Sequence, residues 1–327
     1  MSRYEVIRTE REGAAAVELH DRLTGGRALV LTGAGNNLIS YEQGGISVIP
    51  PPADLRAFLG RPGEWTWYGI PILFPPNRVP GGKLPFNGRE YRLPINEPPD
   101  NHLHGELCRR AWEVAACEAS ETGGARVTAR FVFAEHPDIM AYFPHELEFA
   151  VTHALRDGRL YTDVAVTNRG NDEALFAFGL HPYFAVPPGA AAKLTVPAAE
   201  EWPVTNLAFV AGPPSDTEFS RRLRGEGIDV GAFPALGCAL VRLDGEKRVC
   251  RLEIPGRGIR IALEVGREFP FLVLFKPDWA DAFSLEPYTC VTDAFNLPYP
   301  RETTGASGIQ PGETVRLGTV LWLEKTE

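Results

Sequence analysis

The chain has 327 residues, 44% hydrophobic and 23% charged, enough apolar side chain for a sizeable core and not the composition of a disordered segment. Its formal net charge of -9 disfavours nucleic acid and anionic membrane as partners and leaves a neutral small molecule open. All-β units can run to this length, so one domain over 1–327 is expected.

Five cysteines, Cys108, Cys117, Cys238, Cys250 and Cys290, include no C-x-x-C pair. The odd count and the spacing predict free thiols in a reducing compartment rather than a disulfide framework or zinc site. The opening MSRYEVIRTEREG has no apolar stretch of a secretory signal, and no run reaches membrane-span length. The expectation is a soluble cytoplasmic protein, monomeric or homodimeric.

Along the chain, 33 glycines and 29 prolines punctuate short runs, as in a succession of strands and turns. The one helix to be named is short, at 53–59. In 126–134, Val127, Ala129, Phe131 and Phe133 share a face; in 146–156, Leu147, Phe149, Val151, His153 and Leu155 do. Leu160, Thr162, Val164 and Val166 continue the pattern, as do Ile259, Ile261, Leu263 and Val265, and then Val315, Leu317, Thr319 and Leu321. Period-two alternation means strands with one buried face. Asn87-Gly88, Asp157-Gly158 and Asp244-Gly245 are read as hairpin turns, because both residue types tolerate positive φ. The fold class is therefore all-β, a large antiparallel β-sandwich.

Four segments carry candidate chemistry. In GIPILFPPNRVP at 69–80, Asn77 and Arg78 follow a rigid apolar stretch. The guanidinium either grips neighbouring hydroxyls or satisfies loop carbonyls. In NHLHG at 101–105, His102 and His104 would share a face of an extended segment, with Glu106 beyond them if the strand continued. That is a binding wall, a metal pair wanting a further ligand, or two structural histidines. In AFGLHPYF at 177–184, His181 sits among aromatic residues, either as a core histidine or with its pKa set by a carboxylate. In FSLEPYTC at 283–290, Glu286 lies between leucine and proline. A glutamate so placed is an ion-pair member or a tuned base. Other signals fail: TGAGNN at 32–37 lacks the third glycine of a dinucleotide loop, and no G-x-x-x-x-G-K or G-x-S-x-G is present. Arg221, Arg222 and Arg224, beside Glu218 and Glu226, read as solvated surface.

Taken in order, NRVPGGKLPFNGREYRLPIN at 77–96, NHLHG, Trp112, GLHPYF at 179–184 and SLEPYT at 284–289 resemble the aldose 1-epimerase (galactose mutarotase) family. The resemblance is almost continuous over 69–112 and weaker over the rest. It implies the galactose mutarotase-like supersandwich, anomer interconversion of a free aldose, and no cofactor and no metal. Carried over, Glu286 becomes the general base and His181 the general acid, with His104, Arg78 and Asn77 holding the sugar. The family's sugar-binding aspartate has no counterpart in FPALGCAL at 233–240.

A base that takes the C1 hydroxyl proton while an acid protonates the ring oxygen opens the hemiacetal. Glu and His, ordinarily near about 4 and about 6.5, are sensible partners for this. Lying close, each would favour the charged form of the other, giving a bell-shaped profile with a carboxylate acid limb and an imidazolium alkaline limb. Tyr183, Trp67 or Tyr288 would stack on the sugar. The alternatives are a hexose-6-phosphate epimerase, with Arg109 and Arg110 as phosphate contacts, and a non-catalytic sugar-binding protein on the same fold.

Overall fold

The computed structural model describes residues 2–246 and 248–326. Three antiparallel sheets dominate. The first is a five-stranded meander from Tyr4–Arg11 to Ile46–Ile49. The second has nine strands. Glu113–Ser120, Gly124–Val132, Leu147–Arg156 and Arg159–Asn168 follow one another, the C-terminal strand Thr314–Lys325 joins them to Ile259–Val265, and Val249–Ile254, Lys193–Thr195 and Ile228–Asp229 complete the order. The third runs Ala198–Trp202, Cys238–Leu243, Phe271–Phe275, Ala282–Tyr288, Gly179–Leu180 and Ile72–Leu73, with Tyr183–Ala185 also paired to Ala282–Tyr288.

The period-two faces are the buried faces. Val127, Ala129, Phe131 and Phe133 are buried, as are the five side chains from Leu147 to Leu155 and the four from Ile259 to Val265. Only Val315 of the last set is half-exposed. Phe74, just past Ile72–Leu73, sets its ring edge-on to Phe149 at 5.1 Å and to Phe133 and Phe143 at 5.8 Å. Rings of the third sheet's margin thus interlock with those of the nine-stranded sheet. One continuous cluster of buried apolar side chains extends from Tyr4 to Leu321.

Asn87-Gly88 and Asp157-Gly158 turn hairpins with positive φ at both residues, 49° and 77°, 51° and 68°. Asp244-Gly245 does not. Its flanking strands, Cys238–Leu243 and Val249–Ile254, belong to different sheets, so the turn carries the chain across the sandwich. The Asp244 N–H donates to the Pro197 carbonyl rather than across a hairpin. The expected helix forms at Leu55–Leu59, where the Asp54 carboxylate caps the Ala57 N–H. Three further short helices, Pro137–Tyr142, Glu218–Arg224 and Arg301–Thr304, went unforeseen. Arg221, Arg222 and Arg224 are exposed on the second of these, which starts with a Thr217–Ser220 capping box. All five cysteines are free thiols.

Candidate active site

The third sheet builds the site through its register. Val273 lies opposite Glu286, Phe275 opposite Ser284, Cys238 opposite Phe275 and Tyr183 opposite Ser284. Directly opposed residues project to the same face, so Cys238, Val273, Phe275, Tyr183, Ser284 and Glu286 share one. Of these, all but Ser284 line a cleft of about 270 Å³, together with Trp67, Asn77, Arg78, Glu97, His104, His181, Trp279 and others.

The segments at 69–80 and 101–105 close the cleft from the side. Arg78–Pro80 pairs with Asn101–Leu103. Gly105 lies against Phe74, where a Cβ would come within 1.7 Å of the Phe74 carbonyl oxygen; at φ +69 only glycine fits this approach. Asn77 and His104 both adopt left-handed backbone, φ 58° and 63°, and hold each other. The His104 N–H donates to the Asn77 carbonyl at 3.0 Å, and the Asn77 N–H donates to His104 Nδ1 at 3.2 Å. Nδ1 is therefore an acceptor and the ring proton sits on Nε2. Burial keeps this imidazole well below its ordinary pKa, aided by His181 and Arg78, so His104 is a fixed donor on the cleft wall.

His102 does not share that face. The strand ends at Leu103 and the left-handed turn at His104 swings the next side chain away. His102 is buried with Nδ1 bonded to the Pro94 carbonyl at 2.6 Å, and it lines no part of the cleft. The expected pairing of two imidazoles on one wall is not formed. Among the described residues, no three His, Cys, Asp or Glu side chains are grouped to hold a metal ion.

His181 and Glu286 meet at the cleft floor. Nε2 lies 3.3 Å from Glu286 Oε1, with both side chains almost fully buried. Ser284 Oγ is 2.9 Å from His181 Nδ1 and 2.9 Å from the Pro182 carbonyl. The carbonyl can only accept, so the Ser284 proton goes there and Ser284 accepts from Nδ1–H. Nε2, facing Glu286, is then the nitrogen that gains and loses a proton. On the other side of the carboxylate, the Tyr288 hydroxyl donates to Oε2. The Tyr183 ring stacks on His181 at 4.6 Å, and its hydroxyl donates to the Thr66 carbonyl at 3.0 Å.

Burial is the largest influence on both members of the pair, and it acts against charge. It raises Glu286 to about 8, opposed by the Tyr288 hydrogen bond and the Arg78 charge, and lowers His181 to about 3. The expectation that proximity would favour both charged forms is thus reversed, since desolvation of two buried groups outweighs their attraction. At neutral pH the pair holds one proton and no net charge.

Arg78 and Asn77 line the cleft, and Arg78 is engaged by a residue the sequence had not singled out. Its Nε and Nη2 donate to Glu97 Oε2 and Oε1 at 2.7 and 2.6 Å, and Nη1 donates to the Leu207 carbonyl at 3.2 Å. The segment at 233–240 supplies Leu236 and Cys238 to the wall and no carboxylate. The aromatic wall is Trp67 stacked on Trp279 at 4.8 Å, with Phe275 beside Trp279. Tyr288 stands behind Glu286 and does not line the cleft. Nor do Arg109 and Arg110; Arg110 is paired with Glu106 and Asp138.

A sandwich whose third sheet carries a buried carboxylate–imidazole pair under an open, aromatic-walled cleft has the galactose mutarotase-like fold. Solved structures agree. A galactose mutarotase-like protein from Clostridium acetobutylicum superposes with a TM-score of 0.88 over 99% of both chains at 22% identity. Galactose 1-epimerase from Lactobacillus acidophilus does so with 0.75 over 100% of both chains at 16% identity. The chain belongs to the aldose 1-epimerase family, whose sequence model matches residues 23–322. Two Escherichia coli proteins of uncharacterized function are similar in sequence. YphB is 26% identical over 73% of this chain and 77% of its own length. YihR is 32% identical over 47% of this chain, a match spanning about half of YihR, 46%. No helix among the described residues is long and apolar enough to cross a membrane.

Proposed function

We propose that this protein interconverts the α and β anomers of a free, neutral aldose in the cleft, by acid–base ring opening between Glu286 and His181, without a cofactor. The observation that carries the reading is the buried pair itself, 3.3 Å apart, sharing one proton at the cleft floor. Ring opening takes one proton from O1 and places one on O5. The C1–O5 bond breaks and C1=O1 forms, so a pair holding one proton before the step holds one after it. The shared proton first crosses from Glu286 to His181 Nε2, 3.3 Å away; Glu286 as base and His181 Nε2–H as acid then leave a protonated carboxyl and a neutral imidazole again. That is the uncharged state that burial favours, so the environment suits the bound open-chain aldehyde. Rotation about C1–C2 and the reverse transfers close the ring on its other face. His104 Nε2–H, the free N–H groups of Arg78 and the Asn77 amide supply donors for hydroxyls. Trp67, Trp279 and Phe275 offer an apolar surface to the C–H face.

Polarimetry or NMR exchange with glucose, galactose, xylose, arabinose and glucose 6-phosphate tests this. Catalysed mutarotation of at least one free aldose is expected, and no acceleration of any of them would sink it. Because neither Arg109 nor Arg110 lines the cleft, replacing both by alanine should leave the free-sugar rate within about twofold, the scale of an ion pair lost outside the site. A tenfold loss confined to glucose 6-phosphate would instead favour the sugar-phosphate reading.

The pH profile discriminates further. With Glu286 raised to about 8 and His181 lowered to about 3, the singly protonated pair spans the range between. The alkaline limb of kcat/KM belongs to the carboxyl and should fall near pH 8, and the acid limb to the imidazole, far below its ordinary range. This inverts the limbs expected from the ordinary values. After subtraction of the uncatalysed rate, an alkaline limb near the ordinary imidazole value of about 6.5 would count against the inversion.

A further inference from the structure

Arg78 is the sole lysine or arginine among the described residues of the cleft wall, and it does not face the cleft as a free charge. Glu97 takes its Nε and Nη2 in a two-pronged pair, and the Leu207 carbonyl takes one Nη1 proton. Of the five N–H groups of a guanidinium, two remain for a ligand. The carboxylate is anchored from its own side. The Glu97 and Asn101 backbones exchange both N–H groups at 3.0 Å, and Asn101 Nδ2 donates to Glu97 Oε2 at 3.1 Å. Arg78 and Glu97 are 18% and 26% exposed, so this is a braced pair and not two long side chains meeting in solvent. His104 is neutral, and the Glu286–His181 pair carries no net charge. The fixed charges of the cleft wall therefore cancel.

Resting on the mutarotase reading for its chemistry, we propose that Glu97 determines substrate charge: by holding Arg78 in a two-pronged pair, it leaves the arginine able to donate to hydroxyls while closing the cleft to anionic sugars. A carboxylate or phosphate entering this cleft would lose its hydration against Glu97 and find no uncompensated cation in return. Without the Glu97 charge, the same guanidinium becomes a bidentate anion site.

The test compares glucose with glucuronate, the same ring with a carboxylate at C6, in wild type, Glu97→Gln and the double variant Arg78→Gln/Glu97→Gln. Both mutarotation and equilibrium binding are measured, and thermal melting confirms that each variant is folded. Wild type should prefer glucose. In Glu97→Gln the glucuronate-to-glucose ratio should rise about 10- to 100-fold, the worth of a hydrogen bond to a charged group, and the gain should shrink with added salt. The double variant should show no gain. Wild type that accepts glucuronate as well as glucose overturns the proposal whatever the variants do. So does an unchanged ratio in folded Glu97→Gln, or a gain that survives the loss of Arg78. If no free sugar is turned over by wild type, the mutarotase reading falls, and the binding ratios still decide the role of Glu97.

Discussion

Glu286→Gln is expected to lose about 10²- to 10⁴-fold of the mutarotation rate, the span of a lost general acid or base, while remaining folded. The amide has the shape of the carboxyl and meets the same partners. Its oxygen accepts from Tyr288, and its N–H₂ donates to the His181 Nε2 that lies 3.3 Å from Oε1. What it cannot do is hand a proton back and forth. His181→Ala removes the other half of the exchange and should cost a similar factor. Since one proton is shared by the two, the double variant should be little slower than the poorer single variant. Sugar affinity should change far less in Glu286→Gln, because the amide still bonds the C1 hydroxyl. Near-normal turnover by folded Glu286→Gln would remove the carboxyl from the mechanism. A double variant losing the product of the two factors would mean independent roles.

Ser284 and Tyr288, two residues either side of Glu286, share its face of the strand by the period-two rule, and each fixes one end of the pair; from sequence, Ser284 had no role and Tyr288 only that of a stacking ring. The same rule misled at His102 and His104. It holds only while a strand continues, and the left-handed backbone at His104 and Gly105 ends the strand between them. Glu97 carried no periodic signal, since it lies outside the strands in the loop leading to Asn101–Leu103, and its pairing with Arg78 depends on the fold bringing 78 and 97 together. The short helices were invisible for a related reason: four to seven residues are too few for a 3.6-residue pattern to emerge. His181 and Glu286 were each ambiguous alone, and the resemblance across four ordered segments, not their spacing, singled them out. Their protonation was not legible at all, because it is set by burial from every side.

That burial has a cost which a stability measurement can read. In the unfolded chain, His181 and Glu286 together hold one proton between about pH 4.5 and 6.5, and none above. In the folded protein the pair keeps its proton until Glu286 titrates at about 8. Between about pH 4.5 and 6.5 the two states hold equal numbers of protons, and the pair contributes no slope. From about 6.5 to 8 the folded state holds one proton more. Folded stability must then fall as pH rises, by about 1.4 kcal/mol per pH unit or about 2 kcal/mol across the window. The sign is that of a carboxyl with a raised folded pKa: its contribution is present below the unfolded value and lost as pH climbs through the folded one. In Glu286→Gln no carboxyl remains to ionise, and a His181 buried neutral gives no slope above about 6.5. The variant should therefore gain on wild type by about 2 kcal/mol between pH 6.5 and 8, while every other titrating group cancels in the difference. Urea unfolding at several pH values in this window measures the gap directly. Parallel curves for wild type and Glu286→Gln would mean that the carboxyl is already ionised in the folded protein at pH 6.5. The alkaline limb of catalysis could not then lie near 8. A gap that opens with pH while turnover is lost would show the same buried group weakening the fold and carrying the chemistry.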